Sequence, residues 1–450
     1  MIEKESFDKL GFIPRILLLL TIFSLSGYSA WVYYQAYLST GSLLVQLSAF
    51  FTALFLIGPL AYFALLGVLR YCFYREFAPP SDEELPVCTV IVPAYNEGSH
   101  VSKTLESLLK SDYPAEKFEI IAVNDGSIDD TLMWIQKSAA QAPDRIKIIN
   151  FPQNRSKRHA LNAGFAAGKG EIFVTIDSDS IVEPQAMRRI VAPFVNNPHI
   201  GAVSGSVRVS NTSSGLLPAL FESSFTFAFD FIRCGQSVFH DVLCTPGAIA
   251  AYRADVVHEV REKWVCQTFM GRPSNIGEDR ALTTMILEQG YGVVTQRSAR
   301  ISTNVPETYL GITRMLLRWE RSNIRENFRM YQFIFKDFRW NDSRRWFLLL
   351  TLLVYTQAML LPLVMMFISF YYIILTKGGI LIGIILTTLL WSTLPALVNL
   401  QHRSIKLVCY CYIYGLLYLL TFFWLVPYAL LTMNNSNWLT RTQANSAGKI

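Results

Sequence analysis

Five stretches of the chain carry no aspartate, glutamate, lysine or arginine: 16–38, 42–69, 346–376, 380–400 and 407–433. A helix crosses a hydrocarbon core of about 30 Å with about 20 residues, so each stretch is long enough to span a bilayer. Only Ser39, Thr40 and Gly41 separate the first two, which predicts an anchored helical hairpin rather than a cleaved leader. The region between the second and third stretches reads differently. After the proline- and acid-rich run FAPPSDEELP at 77–86, short apolar runs (CTVIVPAYN, FEIIAVNDGS, RIKIINF, EIFVTIDSDS) alternate with helical patterns beginning near Val101, Thr131 and Arg158. Alternation of this kind predicts βαβ units and a parallel sheet.

Charge orients the hairpin. Lys4, Lys9 and Arg15 precede the first stretch and Arg70 and Arg75 follow the second, which puts both outer ends, and so the α/β region, in the cytoplasm. Cys88, Cys234, Cys244 and Cys266 fall in that region without CxxC spacing and read as buried thiols rather than disulfides. The net charge of +6 comes from basic residues beside the apolar stretches, so anionic lipid and phosphate are expected partners, and nucleic acid is not. Arg314, Arg318, Arg321, Arg325 and Arg329 recur at helical spacing with Leu316, Leu317, Ile324 and Phe328 among them. This predicts a helix lying at the membrane surface with its arginines toward water or phosphate.

In open α/β sheets ligands bind beyond the carboxyl ends of strands, where Tyr95-Asn96-Glu97, Asp125-Gly126-Ser127 and Asp177-Ser178-Asp179 all fall. Two carboxylates one residue apart, Asp177 and Asp179, suit a hard divalent cation held against a diphosphate. Asp125 is suited to accept hydrogen bonds from a nucleobase. Lys157 and Arg158 open a predicted helix and set two cations beside its N-terminal amides, an arrangement for a diphosphate. Glu278 and Asp279, in NIGEDR, start another helix, and an aspartate at a pocket mouth can take the proton from an acceptor hydroxyl.

The ordered set VPAYNE, VNDGS, SKRHALNAG, DSD, QTFMGRPSNIGEDRALT and RWERSNIRE resembles the family 2 inverting glycosyltransferases, and among them the hyaluronan synthases and the related chitin oligosaccharide synthases. The similarity runs from about Cys88 to Glu326, with a further short match, WLTR, at 438–441. It implies an α/β GT-A (Rossmann-like) glycosyltransferase domain inserted between transmembrane helices, with UDP-sugar donors (UDP-GlcNAc and UDP-GlcA), a growing polysaccharide acceptor and Mn2+ or Mg2+. By that resemblance Tyr95, Glu97, Asp125, Lys157, Arg158, Asp177, Arg318, Trp438 and Arg441 bind the nucleotide, and Asp179 and Asp177 hold the metal. Asp279 is the base, and Pro246, Gly247 and Trp319 meet the acceptor. One position departs from the family pattern QxxRW: Met315 stands where glutamine is expected, and a thioether does not replace an amide as a hydrogen-bonding group.

The expected organisation is a membrane hairpin at 1–76, a cytoplasmic catalytic domain at 77–308, amphipathic interface helices at 309–345, a second membrane region at 346–433 and a cytoplasmic tail at 434–450. Five spans would leave the tail outside the cell, whereas the WLTR resemblance implies the nucleotide side. We therefore expect 407–433, with Arg403 and Lys406 before it and Pro427 near its end, to be interfacial or re-entrant. The resulting protein is a multi-pass cell-membrane polysaccharide synthase. The alternatives are a chitin-like or poly-N-acetylglucosamine synthase, a nonprocessive enzyme that glycosylates a lipid, and a silent UDP-sugar-binding subunit.

Overall fold

The computed structural model describes residues 58–335, 343–376, 379–402 and 404–435; the first expected span, part of the second, and Trp438 and Arg441 lie outside these residues. The expected strands form as β1 (Cys88–Ala94), β2 (Phe118–Asn124), β3 (Ile146–Asn150) and β4 (Ile172–Ile176). They are joined by α2 (His100–Leu109), α3 (Thr131–Gln141) and α4 (Lys157–Ala167), while α1 (Gly58–Phe73) precedes them. Side chains alternate between the faces of a strand, and in β1, β2 and β4 both faces are buried, whereas the edge strand β3 is mostly exposed. Val90, Val92, Ile120 and Ala122 join one core cluster, and Ile91, Ile121 and Val123 join the other. That is why these strands read as continuous apolar runs.

The eight-stranded sheet has the order β3-β2-β1-β4-β7-β6-β10-β5. Here β5 is Ile181–Val182, β6 Ile200–Val209, β7 Ile249–Arg253 and β10 Gly292–Thr303, and the short pair β8 (Thr268–Phe269) and β9 (Arg272–Pro273) forms a separate hairpin. From β1 the chain moves to one side through β2 and β3, then returns to pair β4 on the other, which opens a crevice beyond the carboxyl ends of β1 and β4. The four expected strands pair in parallel, as the alternation predicts; beyond them the sheet is mixed, with β7 antiparallel between β4 and β6, and β5 antiparallel to β10. A sheet of this mixed kind lets the loop before β7 arrive at the crevice from the opposite direction.

Helix α5 (Ala186–Val191) follows β5, and α6 (Leu216–Phe227) continues through a π-helical turn, Ala228–Ile232, into α7 (Arg233–Ser237). Helices α8 (Ala254–Val265) and α9 (Glu278–Glu288) flank the hairpin. The 26-residue α10 (Tyr309–Ile334) then starts at Thr308, whose hydroxyl accepts the Gly311 amide. Next come α11 (Ser343–Thr376), α12 (Gly379–Leu400), α13 (Ile405–Leu417) and α14 (Leu425–Leu431).

Two features of this part bear on the expectations. The segment 407–433 is not one helix. A helix of 18 residues, Ile405–Phe422, is long and apolar enough to cross a membrane, at a mean hydropathy of 1.7. After it, α14 begins with Pro427 inside its first turn, where a missing amide costs nothing, and packs on α10. Nor is α10 simply apolar toward lipid and basic toward water. Leu316, Leu317 and Ile324 pack with Phe422, Leu425 and Ala429, and Arg321 and Arg325 are themselves buried.

Candidate functional site

Beyond β1, the loop at Tyr95, Asn96 and Glu97 is stitched to the loop beyond β2. Asn96, at φ 52°, donates its amide to Ser127 Oγ at 3.0 Å, and the amides of Glu97 and Gly98 both reach Thr131 Oγ1, at 2.8 and 2.9 Å. Asp125 is buried at the end of β2, where its carboxylate accepts the Arg155 amide at 2.8 Å and the Asn154 side-chain amide at 3.0 Å. Burial raises its pKa against the opposing pull of the Arg155 and Ser156 amides. A carboxylate has about four acceptor positions, so the bonds to the 154–156 segment fix its orientation and leave acceptor capacity.

The densest cluster lies beyond β4. Lys157 is the first residue of α4, and its ammonium sits 2.5 Å from Asp177 Oδ1 and 2.9 Å from Glu278 Oε1. Burial works against that charge, but Asp177 and then Glu278 outweigh it and hold the lysine above its ordinary pKa. Arg158 does not share this position, contrary to the paired diphosphate role expected for it. One residue is about 100° around a helix, so Arg158 turns into the core. There it donates to Trp264 O at 2.6 Å and Gln267 Oε1 at 2.9 Å, with the guanidinium over the Trp264 ring.

Asp279 enters from α9. Gly277 caps that helix at φ 70°, and an added Cβ there would lie 1.7 Å from Ser322 Oγ, so both conformation and space demand glycine. Asp279 Oδ1 accepts the Arg280 amide at 2.7 Å and Oδ2 accepts the Gly247 amide at 3.1 Å. Gly247 is crowded by space alone: a Cβ on it would stand 2.6 Å from the end of the Lys157 side chain, Nζ. The loop carrying Pro246 and Gly247 is anchored by Thr245, whose amide donates to Thr283 Oγ1 at 3.1 Å. Asp177, Lys157, Gly247, Glu278 and Asp279 thus meet from four separate segments.

The two neighbouring acids are driven apart. Burial and the adjacent Glu278 raise the Asp279 pKa, with Lys157 and the two amides opposing. Burial also disfavours ionised Glu278, but its contact with Lys157 outweighs this and keeps it low. An acid held ionised beside one with raised proton affinity is an arrangement suited to proton transfer. The sequence placed Glu278 beside Asp279 at a helix start but gave it no role in the site; its contact with Lys157 supplies one.

Asp179 approaches from the same strand end, accepting the Thr303 hydroxyl at 3.3 Å. Among the described residues no group of three or more acidic, histidine or cysteine side chains forms a metal cage. The pair Asp177 and Asp179 nevertheless fits Mn2+ or Mg2+, because such cations are commonly bound through one or two carboxylates plus substrate phosphates and water. Farther out, Arg318 on α10 acts electrostatically on Glu278. Trp319 is 37 % exposed and packs against Phe225 at 6.2 Å between ring centroids. Met315 is buried in the apolar cluster beneath them.

Arg321 and Arg325 take a role the sequence did not reveal. Arg321 donates to Thr432 Oγ1 at 2.9 Å; Arg325 donates to Met433 O at 2.6 Å, Asn435 O at 2.7 Å and Ser274 Oγ at 3.2 Å. The end of the described chain is therefore held beside the loop that leads into Glu278 and Asp279.

The family described as glycosyltransferase like family 2 matches residues 86–322. An N-acetylglucosaminyltransferase of Mesorhizobium japonicum is 33% identical over 258 residues, covering 57% of this chain and 60% of the relative. A hyaluronan synthase of Streptococcus pyogenes is 31% identical over 242 residues, covering 53% and 57%. The chain thus spans about three fifths of the length of these curated relatives. Among solved structures, the mannosyltransferase PcManGT from Pyrobaculum calidifontis, in complex with GDP-Man and Mn2+, aligns with 86% of this chain and 97% of its own at a TM-score of 0.58 and 19% identity, which establishes a shared GT-A-like fold. With the match running from just before β1 to beyond Trp319 and covering more than half of the sequence, this chain belongs to glycosyltransferase family 2.

Proposed function

We propose that the protein is an inverting, UDP-sugar-dependent hexosyltransferase that builds a β-linked polysaccharide at the cytoplasmic face of the cell membrane and passes it out between its own helices. The observation that carries the reading is the convergence of Lys157, Asp177, Glu278 and Asp279 around the Gly247 amide. Asp279 takes the proton from the acceptor hydroxyl as that oxygen attacks the anomeric carbon and the bond to UDP breaks. Its raised proton affinity matches that task. Lys157 exchanges part of its contact with Asp177 and Glu278 for the departing diphosphate. Mn2+ or Mg2+, held by Asp179 and Asp177, supplies charge neutralisation on the diphosphate when bound.

In this reading Tyr95, Glu97 and Asp125 recognise the nucleoside, Arg318 assists at the diphosphate, and Pro246, Gly247 and Trp319 border the acceptor. Arg158 supports the site from beneath rather than touching donor. Trp438 lies three residues beyond Asn435, and three residues reach at most about 11 Å. Anchorage of Asn435 by Arg325 beside Ser274 therefore favours a tail that brings Trp438 and Arg441 to the nucleotide. The N-acetylglucosaminyltransferase relatives favour UDP-GlcNAc as donor, and the hyaluronan synthase relative keeps UDP-GlcA as a second.

The test is to purify the full chain in detergent, supply Mn2+ with UDP-GlcNAc, UDP-GlcA or both, and measure UDP release and polymer. Digestion by linkage-specific hydrolases then identifies the product. A β-linked polymer susceptible to such a hydrolase is the expected result; no UDP release from any donor pair would refute the reading.

A further inference from the structure

One buried side chain ties the ends of β1, β2 and β3 together. Asn124, the last residue of β2, is 2 % exposed and stands opposite Asn150, the exposed last residue of β3. Its side-chain amide donates to Asn150 Oδ1 at 2.7 Å, and its Oδ1 accepts the Ser127 amide at 3.3 Å. The string continues to β1, because Ser127 Oγ accepts the Asn96 amide and Asn96 Oδ1 accepts the Ile128 amide, both at 3.0 Å. On the main chain, the Asn124 carbonyl accepts the Phe151 amide and the Asp125 amide donates to Ala94 O, both at 2.9 Å.

Asp125 is thereby held from two directions. The segment after β3 supplies the Asn154 and Arg155 donors to its carboxylate. That segment presses on Gly126, at φ 67°, where a Cβ would stand 2.2 Å from the Gln153 backbone. The aim of Asp125 therefore depends on how the ends of β2 and β3 meet. A side-chain amide carries both donors and an acceptor, so a single asparagine serves Asn150 on one side and Ser127 on the other. A leucine of similar size serves neither and leaves the meeting of the two strand ends to the main chain alone. Lys157 lies a few residues beyond the same segment but is held separately, by Asp177 and Glu278.

We infer that Asn124, paired with Asn150, is a positioning residue for nucleobase selectivity: it fixes the loop from which Asp125 accepts the N3–H of a uracil, and leaves the diphosphate contacts to other groups. This rests on the nucleotide role proposed for Asp125 and extends it to the residues that aim that carboxylate.

The test measures calorimetric Kd values for UDP, CDP and pyrophosphate, each with Mn2+, on the full chain in detergent. Wild type is expected to favour UDP over CDP by at least about tenfold, because a carboxylate accepts from uracil N3–H but meets only an acceptor at N3 of cytosine. Asn124→Leu should weaken UDP by about tenfold and remove most of that preference, while pyrophosphate affinity stays within about twofold. In turnover the loss should appear as a higher KM for the UDP-sugar rather than a lower kcat. Asn150→Ala changes an exposed edge position and keeps the inference testable if Asn124→Leu does not fold; it should weaken UDP by about threefold, again without moving pyrophosphate. The double variant should be no worse than Asn124→Leu alone, because both changes break one contact. Unchanged UDP affinity in both single variants, or equal losses for UDP and pyrophosphate, would overturn the inference while wild-type UDP binding preserved the broader reading. A wild type that binds no UDP would remove both.

Discussion

The backbone amide of Gly247 donates to Asp279 Oδ2 at 3.1 Å, joining the loop before an antiparallel strand to the first turn of α9. That bond fixes the carboxylate in the field of Lys157, and a side chain on Gly247 would crowd the same lysine. The geometry leaves Asp279 one amide contact on each oxygen and a raised proton affinity, with Glu278 ionised beside it.

The balance between these two acids sets a pH dependence. A base works only when deprotonated, and because the Asp279 pKa is raised, activity should fall on acidification at a higher pH than for an ordinary aspartate. Glu278→Gln removes a neighbouring negative charge, so the acid limb of the kcat/KM profile should move to lower pH. Lys157→Met removes the opposing positive charge and should move it higher, along with weakening donor use. Shifts of the same sign in both variants would contradict the assignment of charges.

Metal dependence is expected to run through the strand end of β4. Activity should vanish in excess chelator and return with Mn2+ or Mg2+. Asp179→Ala should lose both turnover and the metal-dependent part of UDP affinity, measured by calorimetry with and without the cation. Full activity in chelator would remove the metal from the account.

Arg325 ties Met433 and Asn435 to Ser274, so Arg325→Ala should loosen residues 432–435 for protease cleavage and raise KM for the donor. Losing buried hydrogen-bond partners costs about 1–3 kcal/mol, so a lower Tm is also expected. Unchanged protease sensitivity and unchanged KM would mean that the clamp does not govern this segment.

Much of this arrangement was legible in the sequence because burial on both faces leaves an unmistakable apolar run, as at 90–92 and 120–123, and polar clusters at the ends of such runs mark the crevice. Strand direction was not legible: nothing in Ile249–Arg253 distinguishes an antiparallel strand from a parallel one. The basic pair at the start of α4 was visible, but its division was decided by Trp264, 106 residues beyond Arg158. Likewise the arginine spacing on α10 is the same whether the side chains face water or clamp a returning segment, and only the position of Thr432 and Met433 resolves it.

The central claim is that Asp279 removes the acceptor proton, and the most direct measurement is the rate of sugar transfer by Asp279→Asn beside wild type, with UDP affinity determined on the same preparations. The amide preserves shape but cannot take the proton, so transfer should fall by roughly 10²- to 10⁴-fold while UDP affinity stays close to that of wild type. Transfer at a near-normal rate by Asp279→Asn would contradict the account.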